Sequence, residues 1–104
     1  MYKLIAIYKI PSDIESFNKH YQDVHTPLAA KVPGLKELRV SKIDGTPRGA
    51  SDLHMIAEMV FDDKTSFGEA MKTKENMEAG KDLMGFAKEV VSVHFASEEI
   101  IKPL

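Results

Sequence analysis

Four histidines, three tyrosines and no cysteine set the chemistry open to this chain. Without a thiol, disulfides, thiolate metal centres and cysteine nucleophiles are excluded. Imidazole and phenol chemistry remain. His20 and His25 stand on one helical segment five positions apart, and at about 100° per residue a regular helix would separate them by roughly 140°. Two metal ligands on one helix need a spacing of three or four, so no shared metal is expected. The two rings are expected to flank opposite edges of the helix. His25 directly precedes Thr26-Pro27, where the helix should kink. It is the candidate general acid or base, because a neutral imidazole titrating near pH 6.5 suits proton transfer at phenols and at carbons beside carbonyls. The competing structural expectation is an imidazole that hydrogen-bonds the free backbone groups of the kink.

The other candidates are placed by strand parity. His54 shares a face with Ile56 and Glu58, the face turned away from the proposed pocket. His94 lies beside Ser92 on the last strand, and a one-residue slip would reverse its face. Tyr8 and Tyr21 offer phenolic hydrogen bonds to a bound molecule. Met55, Met59, Met71 and Met84 offer adaptable walls, the job methionine otherwise does in filling core gaps. Asp82 either orients an imidazole or caps a short helix, with capping the expected role. There is no Gly-rich phosphate loop, nucleophile elbow or paired-carboxylate motif.

The elements that must hold these groups follow from local patterns. Tyr2 to Ile10 is a β-branched and aromatic run stopped by Pro11, a strand. Ser12-x-x-Glu15 has the form of a capping box. Phe17, Tyr21, Val24 and Leu28 then recur at helical spacing, up to Pro33-Gly34. Leu35 to Ile43 is a strand whose charges suit an edge, followed by a loop from Asp44 to Ser51 rich in Gly, Pro and small polar residues. Leu53 to Phe61 is a third strand. Asp63 or Ser66 caps a helix bearing Phe67, Ala70 and Met71, and the less regular stretch from Asn76 to Ala87 adds a further turn or two. Val90 to Ala96 is the last strand, with a tail carrying Ile100 and Ile101.

The order β-α-β-β-α-β predicts an α+β domain of the ferredoxin-like type spanning residues 1–104, with a four-stranded antiparallel sheet and its helices on one face. A sheet with one wet face should alternate cleanly between apolar and polar residues. The central strands do not. Leu4, Ala6, Tyr8 and Ile10 oppose Ile5 and Ile7, while Met55, Ala57, Met59 and Phe61 oppose Ile56 and Val60. Helices cover one face only, so the Ile5/Ile7/Ile56/Val60 face predicts a homodimer. Ala6 and Ala57, central in their strands, leave room on the helix side.

Formal net charge is -2, from 14 Lys and Arg against 16 Asp and Glu, with no basic stripe, so neither nucleic acid nor an anionic membrane surface is an expected partner. No apolar run approaches the roughly 20 residues of a membrane span, and the first residues lack the order of a signal peptide. A cytoplasmic location is expected.

In the residues around Pro11 to Phe17, the run HYQDVHTPLA from His20 to Ala29, Pro33-Gly34-Leu35, Asp82-Leu83 and Phe86, the chain resembles the EthD family of the dimeric α/β-barrel superfamily. The resemblance implies two sheets facing each other across a dimer and a ligand pocket between each sheet and its own helices. It also leans toward a pocket position for His94. By fold, relatives include cofactor-free monooxygenases, lactone isomerases, aromatic polyketide cyclases and haem-degrading enzymes, so the analogy sets expectations only. The expectation is a cofactor-free enzyme acting on an apolar or aromatic metabolite, with His25 catalytic and Tyr8, Tyr21, Met55, Met59 and His94 around the substrate. Two alternatives stand beside it: a non-catalytic module binding a hydrophobic ligand, and a haem-degrading monooxygenase using His20, His25 or His94 as axial ligand. Neither a bound metal nor a cofactor is expected.

Overall fold

The computed structural model describes residues 1–103. Four strands, β1 (Tyr2–Lys9), β2 (Glu37–Lys42), β3 (Leu53–Phe61) and β4 (Val91–Ser97), form one sheet in the order β2-β3-β1-β4. Every neighbouring pair is antiparallel. Between β1 and β2 run α1 (Ile14–His20), a π-helical turn (Tyr21–His25) and α2 (Thr26–Ala30); between β3 and β4 run α3 (Lys64–Met71) and α4 (Lys74–Ala87). This is the expected α+β, ferredoxin-like architecture.

The helix starts are set by side chains that accept orphan backbone N–H groups. Asp13, not Ser12, caps α1 by accepting from the Ser16 N–H at 3.0 Å. Asp63 does the same for α3 through Ser66 at 2.7 Å, and Thr73 caps α4 through Asn76. With that cap, α4 is a regular helix of 14 residues, where the sequence suggested only short turns.

Pro27 was expected to kink the first helical region with Thr26 capping a new segment. Instead Thr26 donates its N–H to the Tyr21 carbonyl, five residues back, and the backbone stays helical throughout. Pro27 has no N–H for the Asp23 carbonyl, and its ring would collide with it in a regular helix. The π turn just before it absorbs that defect without a break. It also redraws the buried stripe, which runs Phe17, Tyr21, His25 and Ala29. Val24, expected in that stripe, is exposed.

One face of the sheet carries Leu4, Ala6, Tyr8, Met55, Ala57 and Met59 and meets the helices. Here the core forms two clusters. Ala6, Tyr8, Met55 and Ala57 pack with Phe17, Tyr21, Leu83 and Ala87. Met59 and Phe61 pack with Ala29, Val32, Phe67 and Ala70. The other face carries Ile5, Ile7 and Ile56, only partly buried, with Lys3 held between Glu58 and Glu98 at 2.7 Å each. Val60, assigned to this open face, is 0 % exposed in the single chain. It offers no surface to a partner. No helix of the described residues is long and apolar enough to cross a membrane.

Candidate functional site

A cavity of about 350 Å³ lies between the sheet and the helices, reached by both core clusters. Its floor is Leu4, Ala6, Ala57, Met59 and Leu38; its roof is the α4 face formed by Asn76, Ala79, Gly80, Leu83 and Met84. Met84, Val93 and Phe95 line it while remaining exposed, Phe95 by 61 %, and so mark its mouth between α4 and β4. The wall is mostly apolar. Its polar groups gather at one end, where Tyr8, Tyr21 and His25 meet, with Asn76 at the start of α4.

His25 is held by a shared carboxylate. Its Nδ1 lies 3.0 Å from Oδ2 of Asp82, and Nε2 of His20 lies 2.8 Å from Oδ1 of the same residue. The carboxylate accepts, so Nδ1 of His25 carries the proton and Nε2 keeps its lone pair. Nε2 has no protein partner, and among the described residues no fully buried side-chain N or O atom is left unpaired. Nε2 therefore keeps some accessible surface, and His25 lines the cavity. Burial pushes the His25 imidazole below its ordinary value, opposed by its bond to Asp82. Burial thus favours the neutral ring.

The two phenols complete this end. The Tyr8 and Tyr21 rings meet edge to face at 5.8 Å, and Tyr21 lies 5.6 Å from the His25 ring. Burial raises both hydroxyls above the ordinary phenol value, strongly for Tyr8, where Tyr21 and Asp82 add to it; the Thr26 hydroxyl eases the rise at Tyr21. A ligand oxygen at this end would meet two O–H donors and one imidazole acceptor.

The structure thus brings His25, Tyr8, Tyr21 and Met59 together as the sequence suggested. Four placements differ. His20 and His25 do not flank opposite edges: the π turn swings both onto Asp82. Asp82 sits inside α4 and orients imidazoles rather than capping. Met55 packs in the core cluster with Tyr8 and Phe17 and does not reach the cavity. His94 is opposite Ile5 in the β1–β4 register, on the open face, bonded to Ser92 at 3.0 Å. It is not a pocket residue. Val91, Val93 and Phe95, opposite Tyr8, Ala6 and Leu4, take the helix side instead.

His54 also moves. The register slips between Tyr8 and Lys9, where Leu53 pairs with Lys9 and Met55 with Tyr8, leaving His54 as the extra residue of a bulge. Its ring packs edge-on against Phe17 at 5.4 Å and its Nε2 meets Oδ1 of Asn18 at 2.7 Å. This is a structural role, on the helix side. Residues the sequence did not single out include Asn76, Ala79 and Gly80. The Ala79-Gly80 pair was the available signal: a Cβ at Gly80 would meet nothing within 4 Å. Among the described residues no group of three or more His, Cys, Asp or Glu side chains is arranged to hold a metal ion.

Fold and site together define a ferredoxin-like domain with an apolar pocket and one oriented imidazole. The chain belongs to the EthD family, whose domain model matches residues 11–89. It is 40 % identical to an EthD family protein from Bacillus halodurans, over 95 % of this chain and 99 % of that one, with a TM-score of 0.92. It is 29 % identical to an uncharacterized 11.0 kDa protein of the thcB-thcC intergenic region of Rhodococcus erythropolis, over 99 % of this chain and all of that one. More distant structures share the fold alone. SnoaB, a cofactor-independent oxygenase from Streptomyces nogalater, aligns over 99 % of this chain and 95 % of its own at a TM-score of 0.66 and 12 % identity. A dimeric ferredoxin-like protein from Jannaschia aligns over 94 % of this chain and 100 % of its own at 0.65 and 14 %.

Proposed function

We propose that this EthD family protein is a cofactor-independent acid–base catalyst for a small apolar or aromatic metabolite carrying an acidic hydroxyl or an activated C–H. The observation that carries the reading is His25, a cavity-lining residue with Nδ1 held by Asp82 and Nε2 without a protein partner. A bound enol, phenol or carbon acid would lose its proton to Nε2, and the developing oxyanion would be met by the Tyr8 and Tyr21 hydroxyls. The apolar wall excludes water and strengthens both interactions. Cofactor-independent oxygenase, isomerase and cyclase reactions can each begin with this step. SnoaB, a cofactor-independent oxygenase of the same fold, is consistent with it.

The test is proton exchange. A panel of phenols, naphthols and aromatic 1,3-dicarbonyls is incubated with the protein in deuterated buffer, and C–H exchange and oxygen consumption are followed. Catalysed exchange lost in His25→Ala supports the reading. Ligand binding retained in His25→Phe, with no exchange in either protein, favours a binding module without catalysis.

We also infer that two copies pair through the open sheet face. Ile5, Ile7 and Ile56 remain partly exposed there with no helix above them, and the Jannaschia relative of this fold is dimeric. Val60 contributes from beneath rather than at the contact.

A further inference from the structure

We propose that His20 is a positioning residue of this site: by donating Nε2–H to Oδ1 of Asp82 it fixes the carboxylate so that Oδ2 receives the proton on Nδ1 of His25. This rests on the reading of His25 as the base, yet assigns a separate job to a residue that never reaches the cavity.

Three observations carry it. First, among the described residues the side chain of Asp82 has two hydrogen-bonding side-chain partners, and they are the two imidazoles, one on each oxygen. A carboxylate turns easily about its last bond, a broad two-fold torsion. One partner leaves it free to turn; two opposed partners stop it. Second, the side chain of Asp82 is 16 % exposed. With His20 gone, Oδ1 would be a half-buried acceptor without a partner, and the carboxylate would swing toward water to satisfy it. Third, the π turn between the two histidines brings them together. On a regular helix they would diverge by roughly 140° and one carboxylate would not hold both.

The surroundings of His20 suit support rather than contact with a ligand. Its side chain is 34 % exposed and its ring lies 4.4 Å from that of Phe86. It borders a separate outer hollow of about 220 Å³ with Pro11, Ser12 and Asp13. Phe86, in turn, stands between His20 and His25, 5.3 Å from the latter. The arrangement is the outer-shell support that an imidazole needs to keep one tautomer and one orientation.

The experiment reads the His25 tautomer by imidazole ¹⁵N NMR at neutral to mildly basic pH, with signals assigned through His25→Gln. The wild type should show the Nδ1–H form alone. His20→Leu removes the donor while keeping an apolar side chain against Phe86, and should give a mixture of both forms. His20→Gln, whose amide nitrogen falls where Nε2 was, should restore the single form. If His20→Leu does not fold, His20→Ser, too short to reach Asp82, replaces it. A single Nδ1–H form in the folded donor-less variant overturns the assignment. Failure of the catalytic reading is a different result: proton exchange surviving His25→Ala removes the base but leaves the tautomer outcome unchanged.

Discussion

Ala6 and Ala57 stand directly opposite each other in the β1–β3 register, and both form the floor of the cavity. Each lies at the middle of a strand whose flanking residues on the same face are large, Leu4 and Tyr8 on one, Met55 and Met59 on the other. The gap above the alanine pair is continued overhead by Ala79 and Gly80. Space in this core is therefore set by four small residues on three elements.

Filling that space should separate binding from folding. Ala57→Leu places a side chain where the ligand would lie, in a cavity of about 350 Å³. Thermal unfolding should show an unchanged or higher melting point, because filling a void commonly adds about 0.5–2 kcal/mol. The ligand-induced shift and any proton exchange should disappear. Loss of stability by more than about 1–3 kcal/mol would mean the site is packed, not hollow.

Asp82→Asn should preserve the helix and impair the base. The amide offers an N–H as readily as an oxygen to Nδ1 of His25, so the tautomer with the lone pair toward Asn gains ground. A positioned general base contributes about 10²- to 10⁴-fold, and losing its tautomer forfeits a share of that. A fall of up to that size in exchange rate with little change in ligand affinity is expected, measured in steady state. An unaltered rate would mean that Asp82 holds the helices together and does no more.

The β-α-β-β-α-β order could be read because β1 and β3 are apolar runs and every strand is bounded by Pro, Gly or charge, and the helix-side face of β1 and β3 follows from residue parity. The pocket could be read in outline from Ala6 and Ala57 between larger neighbours. What escaped was every feature depending on one extra residue. The π turn puts one more residue in the helix and converts a 140° divergence into a shared carboxylate. The bulge at His54 puts one more residue in β3 and turns that ring from the open face to Phe17. Neither insertion breaks the pattern visibly, because polar and apolar residues alternate with histidines on both sides of it. In the first helical region the clue was the buried series Phe17, Tyr21, His25, Ala29 at a constant spacing of four, which a regular helix does not keep on one face.

The open sheet face predicts assembly. Ile56 lies opposite Ile7 in the register, between Ser41 on one side and, beyond β1, Ser92 on the other. Ile56→Lys would put an ammonium group in the middle of the sheet–sheet contact, where desolvation opposes it. Sedimentation should show a dimer for the wild type and a folded monomer, or an unfolded chain, for the variant. A wild-type protein that is a folded monomer at micromolar concentration would remove the contact altogether.

Stability should fall as the pH falls, through His25. Its imidazole is depressed below the ordinary 6.5 in the folded chain, chiefly by burial, and regains the ordinary value on unfolding. Below pH 6.5 the unfolded chain binds a proton at this position that the folded chain refuses, so acid favours unfolding. Stability therefore increases with pH across the interval between the depressed value and 6.5, by at most about 1.4 kcal/mol per pH unit for one proton, and levels off above it. The carboxylates depressed by partners, Glu37, Asp63 and Glu98, act at lower pH, below the ordinary 4.5 or 3.8. Denaturant unfolding of wild type and His25→Phe between pH 5 and 7.5 isolates the histidine. The wild type should lose stability toward pH 5 faster than the variant, which has no proton to bind there. Parallel curves would mean that His25 takes up its proton as readily folded as unfolded, and that burial does not hold it neutral.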